Sequence, residues 1–160
     1  MSNIEQFNVV YKPQTKNSAY QEFSINTQNG YRGYLEYYFS RERNAWILEE
    51  LHSDISGGGK ALIQAFCQKV GVGQKIWSGI IEKETYETLI DRGTIPYFMS
   101  NDKRELILTN PEVLHCLKIV RVFQGGGLNI ERFILEKCDT KNIVDAAHGY
   151  PVLLSIEGTT

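Results

Sequence analysis

Three consecutive glycines between a strand-like segment and an amphipathic segment constrain the fold of this chain more than any other feature. Residues 46–51 are apolar apart from two glutamates and have the length of a strand. After Gly57, Gly58 and Gly59, apolar residues recur at the spacing of a helix that lies on a sheet. Those residues are Ile63, Phe66, Cys67 and Val70. Gly71 follows, where a helix commonly ends. The sequence therefore predicts a strand–loop–helix unit.

Glycines at such a junction suit the binding of a phosphate group. They let the backbone approach a ligand closely, and the first N–H groups of the helix have no intrahelical acceptor. The mononucleotide P-loop pattern fails, because Lys60 is followed by Ala61 instead of Ser or Thr. The dinucleotide pattern fails because Leu62 stands at the position of its third glycine. A glycine-rich surface turn without a ligand is the alternative interpretation.

The patterns around this unit predict a sheet. Strands are expected near residues 7–12, 23–27 and 31–40, with Asn29 and Gly30 forming a tight hairpin turn between the last two. Residues 76–81 follow the helix and are expected to form a strand parallel to 46–51. A second helix is predicted around Tyr86, Leu89 and Ile90.

The last part of the chain is predicted to add a hairpin. A short strand is expected at residues 106–108, and Pro111 suits the first position of a short helical turn. Residues 118–123 are predicted as a strand, 124–127 as a turn, 129–136 as the returning strand and 152–156 as a final strand. The last four residues are expected to be loose.

The loop sequence DISGGG, residues 54–59, followed by KALI, resembles the pyrophosphate-binding loop Q/R-x-x-G-x-G/A of the GNAT superfamily of N-acetyltransferases. Asp54 occupies the Gln/Arg position, where an acidic group opposes a bound pyrophosphate. The predicted order of elements is also similar to that superfamily. The expected fold is therefore α+β, with a mixed, mostly antiparallel central sheet and helices on both faces, as in an acyl-CoA N-acyltransferase. The helices usual near the start of that superfamily are not evident.

We expect one domain over residues 1–160, with a core at about 20–137. Residues 94–117 form an insertion longer than a usual connection, and its apolar residues suit a binding lid or a homodimer contact.

The resemblance implies an acyl donor, acetyl-CoA or another acyl-CoA, and an amine acceptor, either a small molecule or a protein lysine. No metal is implied. In the superfamily the strand before the loop contacts pantetheine, and the loop amides hold the pyrophosphate. The residues at those positions here are Leu51, His52, Ser53, Gly57, Gly58, Gly59, Lys60 and Ala61.

Glu49 or Glu50 is the candidate base that takes a proton from the amine. Strand alternation places the two on opposite faces, so that only one faces the cleft. Tyr86 is the candidate acid for the leaving thiolate. Ordinary surface glutamates and a core tyrosine are the alternatives. His52 could also serve as a base, although a solvent-facing loop histidine is the other interpretation.

Composition limits the other function classes. The 17 basic and 19 acidic residues give a net charge of −2, and no basic run suggests nucleic-acid binding. No segment approaches the roughly 20 apolar residues that span a membrane, and the first residues do not resemble a signal peptide. The widely spaced Cys67, Cys116 and Cys138 suit a cytoplasmic protein rather than a disulfide framework or a metal site.

A non-catalytic GNAT-like module, which senses a ligand or binds a protein, is the alternative function. Asp54 favours this alternative, whereas the glycines and the helix after them favour the acyltransferase.

Overall fold

Eight strands form one sheet in the computed structural model of this protein, which describes residues 7–14, 16, 19–27, 30–80, 105–109, 111–115, 117–137 and 152–160. The strands are β1 (Val9–Lys12), β2 (Gln21–Thr27), β3 (Gly30–Ser40), β4 (Ala45–Ser53), β5 (Lys75–Ser78), β6 (Glu105–Leu108), β7 (Asn129–Lys137) and β8 (Val152–Thr159). Their order in the sheet is β1-β2-β3-β4-β5-β8-β7-β6. The described helices are α1 (Gly58–Val70), α2 (Pro111–His115) and α3 (Lys118–Gly125).

All neighbouring strands are antiparallel except β4 and β5, which are parallel. The predicted α+β class with a mixed, mostly antiparallel sheet is therefore confirmed. The β2–β3 hairpin is confirmed as well, but Gly30, predicted as a turn residue, is the first residue of β3 and lies opposite Thr27. Gly30 has a φ of 103°, whereas Asn29 lies outside the described residues. The parallel pairing of β5 with β4 also follows the prediction, because α1 provides the crossover between them.

Helix α1 covers the first half of the sheet with its apolar stripe. Leu62, Ile63 and Phe66 are fully buried and share one cluster with Leu35 and Leu48 of the sheet. The helix ends at Gly71, as predicted, with a φ of 86° and a hydrogen bond of 3.0 Å from its N–H to the carbonyl oxygen of Cys67. Burial of this stripe fixes α1 on the sheet, so the loop before it has a defined position at the end of β4.

The prediction of a strand at 118–123 is wrong, because these residues form α3. Ile119, Val120 and Phe123 are buried, whereas Lys118 and Arg121 are exposed. That spacing is helical, but the run is rich in β-branched residues and too short for periodicity to separate the two structures. Residues 124–127 are therefore not a hairpin turn. They end α3, which packs beside α1 and against β7.

Strand β8 lies in the middle of the sheet, between β5 and β7. The expected core of residues 20–137 leaves out this strand, and its true extent reaches Thr159 instead of 156. The prediction of a loose end is also wrong, since the Thr160 N–H donates to the carbonyl oxygen of Gln74 at 2.8 Å. The backbone of Thr160 accepts in turn from Gly73 N–H at 3.0 Å.

The described helices share one face of the sheet, since Leu114 of α2 and Phe123 of α3 belong to the same buried cluster as the α1 stripe. The helix predicted around Tyr86 and the apolar residues of the insertion, 95–99, lie outside the described residues. No helix of the described part is long and apolar enough to cross a membrane.

Candidate functional site

A β-bulge bends β4 at Glu49. Leu48 is opposite Tyr37 and Glu50 is opposite Glu36, so Glu49 is an extra residue on β4. Bulges bend a strand and increase its twist. The pairing of β4 with β5 ends immediately before the bulge, at Leu48 opposite Ser78. The sheet therefore opens between the two parallel strands beyond this point, and β4 continues along the gap to Ser53.

Ser78 holds the base of this gap. Its hydroxyl donates to the carbonyl oxygen of Leu48 at 3.0 Å and accepts from the Ile80 N–H at 3.1 Å. The side chain is fully buried, so both hydrogen bonds are shielded from water. They hold the end of β5 against Leu48, the last residue of β4 that pairs with β5.

Gly57 and Gly58 are required by the loop itself. Gly57 adopts a left-handed conformation with a φ of 80°. The Gly58 N–H donates to the carbonyl oxygen of Ile55 at 2.9 Å, and a Cβ on Gly58 would overlap the hydroxyl of Ser53. Ser53 in turn donates to the carbonyl oxygen of Ile55 at 2.8 Å. Two of the three glycines thus have a structural reason independent of any ligand.

The N–H groups of Gly59 and Lys60 remain available. The first bond within α1 runs from the Ala61 N–H to the carbonyl oxygen of Gly57 at 3.1 Å, and no side chain caps the helix. Within the described residues, the N–H groups of Gly59 and Lys60, which precede Ala61, therefore have no acceptor. They carry the positive end of the α1 dipole, which favours an anion.

A cleft of about 670 Å³ lies where the gap, the loop and α3 meet. This size is typical of small-molecule sites, which hold about 300–1,000 Å³. Its lining residues are Leu51, Ser53, Asp54, Ile55, Ser56, Gly57, Gly59, Lys60, Ile80, Lys118, Ile119, Arg121 and Val122. Three of them are cationic (Lys60, Lys118 and Arg121) and one, Asp54, is acidic. The cleft is therefore positively charged and suits an anionic ligand.

Five of the predicted donor-binding residues line this cleft: Leu51, Ser53, Gly57, Gly59 and Lys60. Gly58 is buried behind the loop, and Ala61 is fully buried in α1. His52 is exposed and follows Leu51 on β4, so its side chain lies on the opposite face of the sheet. Tyr86 lies outside the described residues.

The expectation that Glu49 and Glu50 point to opposite faces is wrong. Leu48 and Leu51 both pack against the core under α1, although they are three residues apart. The bulge accounts for the extra residue, so both glutamates lie on the face away from α1. Both are exposed. The gap separates them from the loop, which lies on the helical side.

Glutamates of three neighbouring strands form a row on that far face. Glu22 is opposite Glu36, and Glu36 is opposite Glu50. Partial burial, and then the charges of Glu50, Glu22 and Glu49, raise the pKa of Glu36. Tyr34 donates to Glu50 Oε1 at 2.5 Å, and this bond raises the pKa of Tyr34 to about 12. The far face of the gap is therefore acidic, opposite in charge to the cleft.

The Asp54 carboxylate, which lines the cleft, also has a partner in His52. Its Oδ1 lies 2.9 Å from His52 Nε2, and both side chains are about half exposed. The Asp54 carboxylate therefore lines the cleft and contacts His52 at the same time.

The α3 wall of the cleft was missed because residues 118–123 were predicted as a strand. The sequence signal, which was weak in so short a run, was the three-residue spacing of Lys118 and Arg121 among the apolar residues Ile119, Val120 and Phe123. Three-residue spacing of cations marks one face of a helix. Ile80 was missed for a different reason, because only the opening of the sheet brings it to the cleft.

No metal centre accompanies the cleft in the described part of the chain, where no three His, Cys, Asp or Glu side chains are grouped to hold an ion. Cys67 lies on α1 away from the cleft, and burial raises the pKa of its thiol to about 11. A thiol of that pKa is protonated at neutral pH and is a poor nucleophile.

Comparison with known proteins gives a structural similarity but no match to a protein family or a curated sequence. No protein-family model and no curated protein sequence matches the chain. Among solved structures, it is similar to the crystal structure of a nourseothricin acetyltransferase, with a TM-score of 0.42 and 13% sequence identity. The similarity covers 96% of this chain and 85% of that one. At this TM-score the similarity carries no functional argument.

Proposed function

We propose that this protein is an acyl-CoA-dependent N-acyltransferase, which transfers an acetyl or other acyl group to an amine. One observation carries the proposal. The sheet opens between β4 and β5 at the same cleft where the N–H groups of Gly59 and Lys60 are available. An extended donor with a phosphate end needs both features together.

The donor would lie along β4. Its pyrophosphate would accept from the N–H groups of Gly59 and Lys60, at the positive end of α1. The pantetheine arm, which carries two amide groups, would pair with the backbone of β4 between Leu51 and Ser53, as an added strand pairs with a sheet edge. The thioester would then enter the gap above Ser78. The available N–H groups of Gly59 and Lys60 fit such an anion.

The amine would approach from the acidic face. Its lone pair attacks the thioester carbonyl, forming a C–N bond and breaking the C–S bond. A protonated amine has no lone pair, so a carboxylate at the bulge, Glu49 or Glu50, would take the proton directly or through water. The thiolate leaves and is protonated to give free coenzyme A. Tyr86 remains the proposed acid for this last step.

Asp54 supports a second candidate function, a non-catalytic module that binds a ligand in the same cleft. Its carboxylate lines the site and opposes a pyrophosphate. Contact with His52 at 2.9 Å offsets this charge when the imidazole is protonated.

Release of thiol from acetyl-CoA and from longer acyl-CoA, measured with a panel of polyamines, aminoglycosides and lysine peptides, separates the two candidates. An acyltransferase releases thiol only in the presence of an acceptor and yields the acylated amine by mass spectrometry. Binding of coenzyme A without thiol release under any acceptor would establish the non-catalytic module.

A further inference from the structure

Lys118 and Arg121 have no part in the chemistry described above, yet both line the cleft. We propose that these two side chains recognise the 3′-phosphate on the ribose of the donor and so select coenzyme A over its dephosphorylated form. The inference rests on the proposed function, because it assumes that the donor occupies this cleft.

The packing of the two helices places these cations beyond the loop. A Cβ on Gly59 would lie 3.1 Å from Val122 Cγ1, and one on Gly126 would lie 2.5 Å from Ile63 Cβ. Helix α3 therefore runs beside α1 in the same direction. Lys118 precedes Val122 by four residues, about 6 Å along the axis. The first turn of α3 thus projects past the N–H groups of Gly59 and Lys60.

The Lys60 side chain lies away from Lys118 and Arg121. A Cβ on Gly125 would lie 2.8 Å from Lys60 Cε, so the Lys60 stem lies along the last turn of α3. Its ammonium is therefore near the opposite end of α3 from Lys118. Arg121 donates from Nη1 to the carbonyl oxygen of His115 at 3.0 Å, which fixes its guanidinium at the corner between α2 and α3. The guanidinium has further N–H groups, which can donate to an anion in the cleft.

Coenzyme A has two phosphate groups that match the separation between the loop N–H groups and the two cations of α3. Coenzyme A carries a pyrophosphate and, one ribose away, a phosphomonoester of about −1.5 to −2 charge at pH 7. Backbone amides can hold the first group, but the second is beyond their reach. A lysine and an arginine one helical turn apart form the type of pair that binds a terminal phosphate. Their combined charge also exceeds that of the single carboxylate in the cleft.

The test compares the affinities of coenzyme A and dephospho-coenzyme A by calorimetry for the full chain and its variants. We expect the parent to prefer coenzyme A by about tenfold or more, and Lys118→Gln and Arg121→Gln each to weaken its binding about fivefold. The double variant should bind both ligands alike, with the affinity for dephospho-coenzyme A unchanged. Lys75→Gln, an exposed lysine of β5 outside the cleft, is the charge-matched control.

Equal affinity of the parent for the two ligands would overturn the inference and leave the proposed function intact. An equal loss of both affinities in the variants would also overturn it, because the two cations would then serve the pyrophosphate. If the parent binds neither ligand, the proposed function fails as well. Thermal unfolding of each variant establishes that a loss of affinity is not a loss of fold.

Discussion

Glu49 and Glu50 differ in what surrounds their carboxylates. Glu50 Oε1 accepts a hydrogen bond from the Tyr34 hydroxyl at 2.5 Å, so this oxygen is already occupied. Glu49 is the bulged residue itself, next to the last pair that joins β4 to β5. Of the two, Glu49 is therefore better placed to take a proton at the gap.

We expect Glu49→Gln to lower kcat for acyl transfer by about 100-fold or more, because a general base contributes about that factor. Glu50→Gln should lower it less than tenfold. Thiol release at saturating donor and acceptor measures both, with Glu42→Gln in the exposed turn after β3 as the control. A larger loss in Glu50→Gln would reverse the assignment.

The bulge also shows what sequence patterns miss at this scale. The polar pair at 49 and 50 interrupts the apolar run, and strand alternation then predicts one glutamate on each face. An extra residue in one strand is defined only against its neighbour, in this case by the register of β3. The sequence of β4 alone does not contain that information.

At the scale of elements, α1 and α3 approach each other closely through Gly126. Its φ of −86° is ordinary, so the glycine is required by space and not by conformation. We expect Gly126→Ala to destabilise the fold by about 1–3 kcal/mol, because its Cβ would press on Ile63 and on the carbonyl oxygen of Lys60. Urea unfolding measures the change.

Gly125→Ala is the matched control, since the atoms nearest to its Cβ would belong to the flexible Lys60 side chain. It should change stability by less than about 0.5 kcal/mol. Equal effects of the two substitutions would show that the helices are not held together at Gly126.

The glutamate row across β2, β3 and β4 lowers the free energy of unfolding by an amount that depends on pH. The pKa of Glu36 is raised, so the folded state disfavours its ionised form. Below the ordinary pKa of 4.5, the carboxyl is protonated in both states and the penalty is absent. The penalty grows as pH rises through the folded-state pKa, and it persists at neutral pH.

Glu36→Gln should therefore stabilise the protein by about 0.5 kcal/mol at neutral pH, the scale of a like-charge pair across strands. No gain is expected at pH values well below 4.5. Urea unfolding at both pH values measures the difference, with Glu42→Gln as the exposed control. A gain of the same size at low pH would attribute the effect to packing instead of charge.

For the whole molecule, the sequence predicted the fold class, the hairpin, helix α1 and the parallel pairing of β4 and β5. These follow from local patterns, because periodicity, a turn signal and a helix crossover are each contained in one segment. Helix α3 and the central position of β8 were missed. Their placement depends on contacts between distant segments, such as Gly126 against Ile63 and Ile156 opposite Ser78.

The cleft was predicted only on the side of the glycine loop. Leu51, Ser53, Gly57, Gly59 and Lys60 belong to one continuous unit, which a motif can represent. The opposite wall comes from α3, about 60 residues later in the chain. Its residues are neighbours of the loop only in the folded sheet, so their spacing can indicate a helix but not that this helix lies beside the loop.

Coenzyme A affinity of the parent and of Gly59→Val, measured by calorimetry, tests most directly whether this cleft holds an acyl donor. A valine at position 59 would place its Cβ 3.1 Å from Val122 Cγ1, between two residues that line the cleft. Gly73→Val, whose Cβ has open space but whose φ of 82° strains any side chain, is the control for a destabilising valine outside the cleft. We predict that the parent and Gly73→Val bind coenzyme A and that Gly59→Val does not. Asp54→Gln should bind it more tightly, since an opposing charge is removed. Binding by Gly59→Val equal to that of the parent, or no binding by the parent and Asp54→Gln, would contradict the assignment.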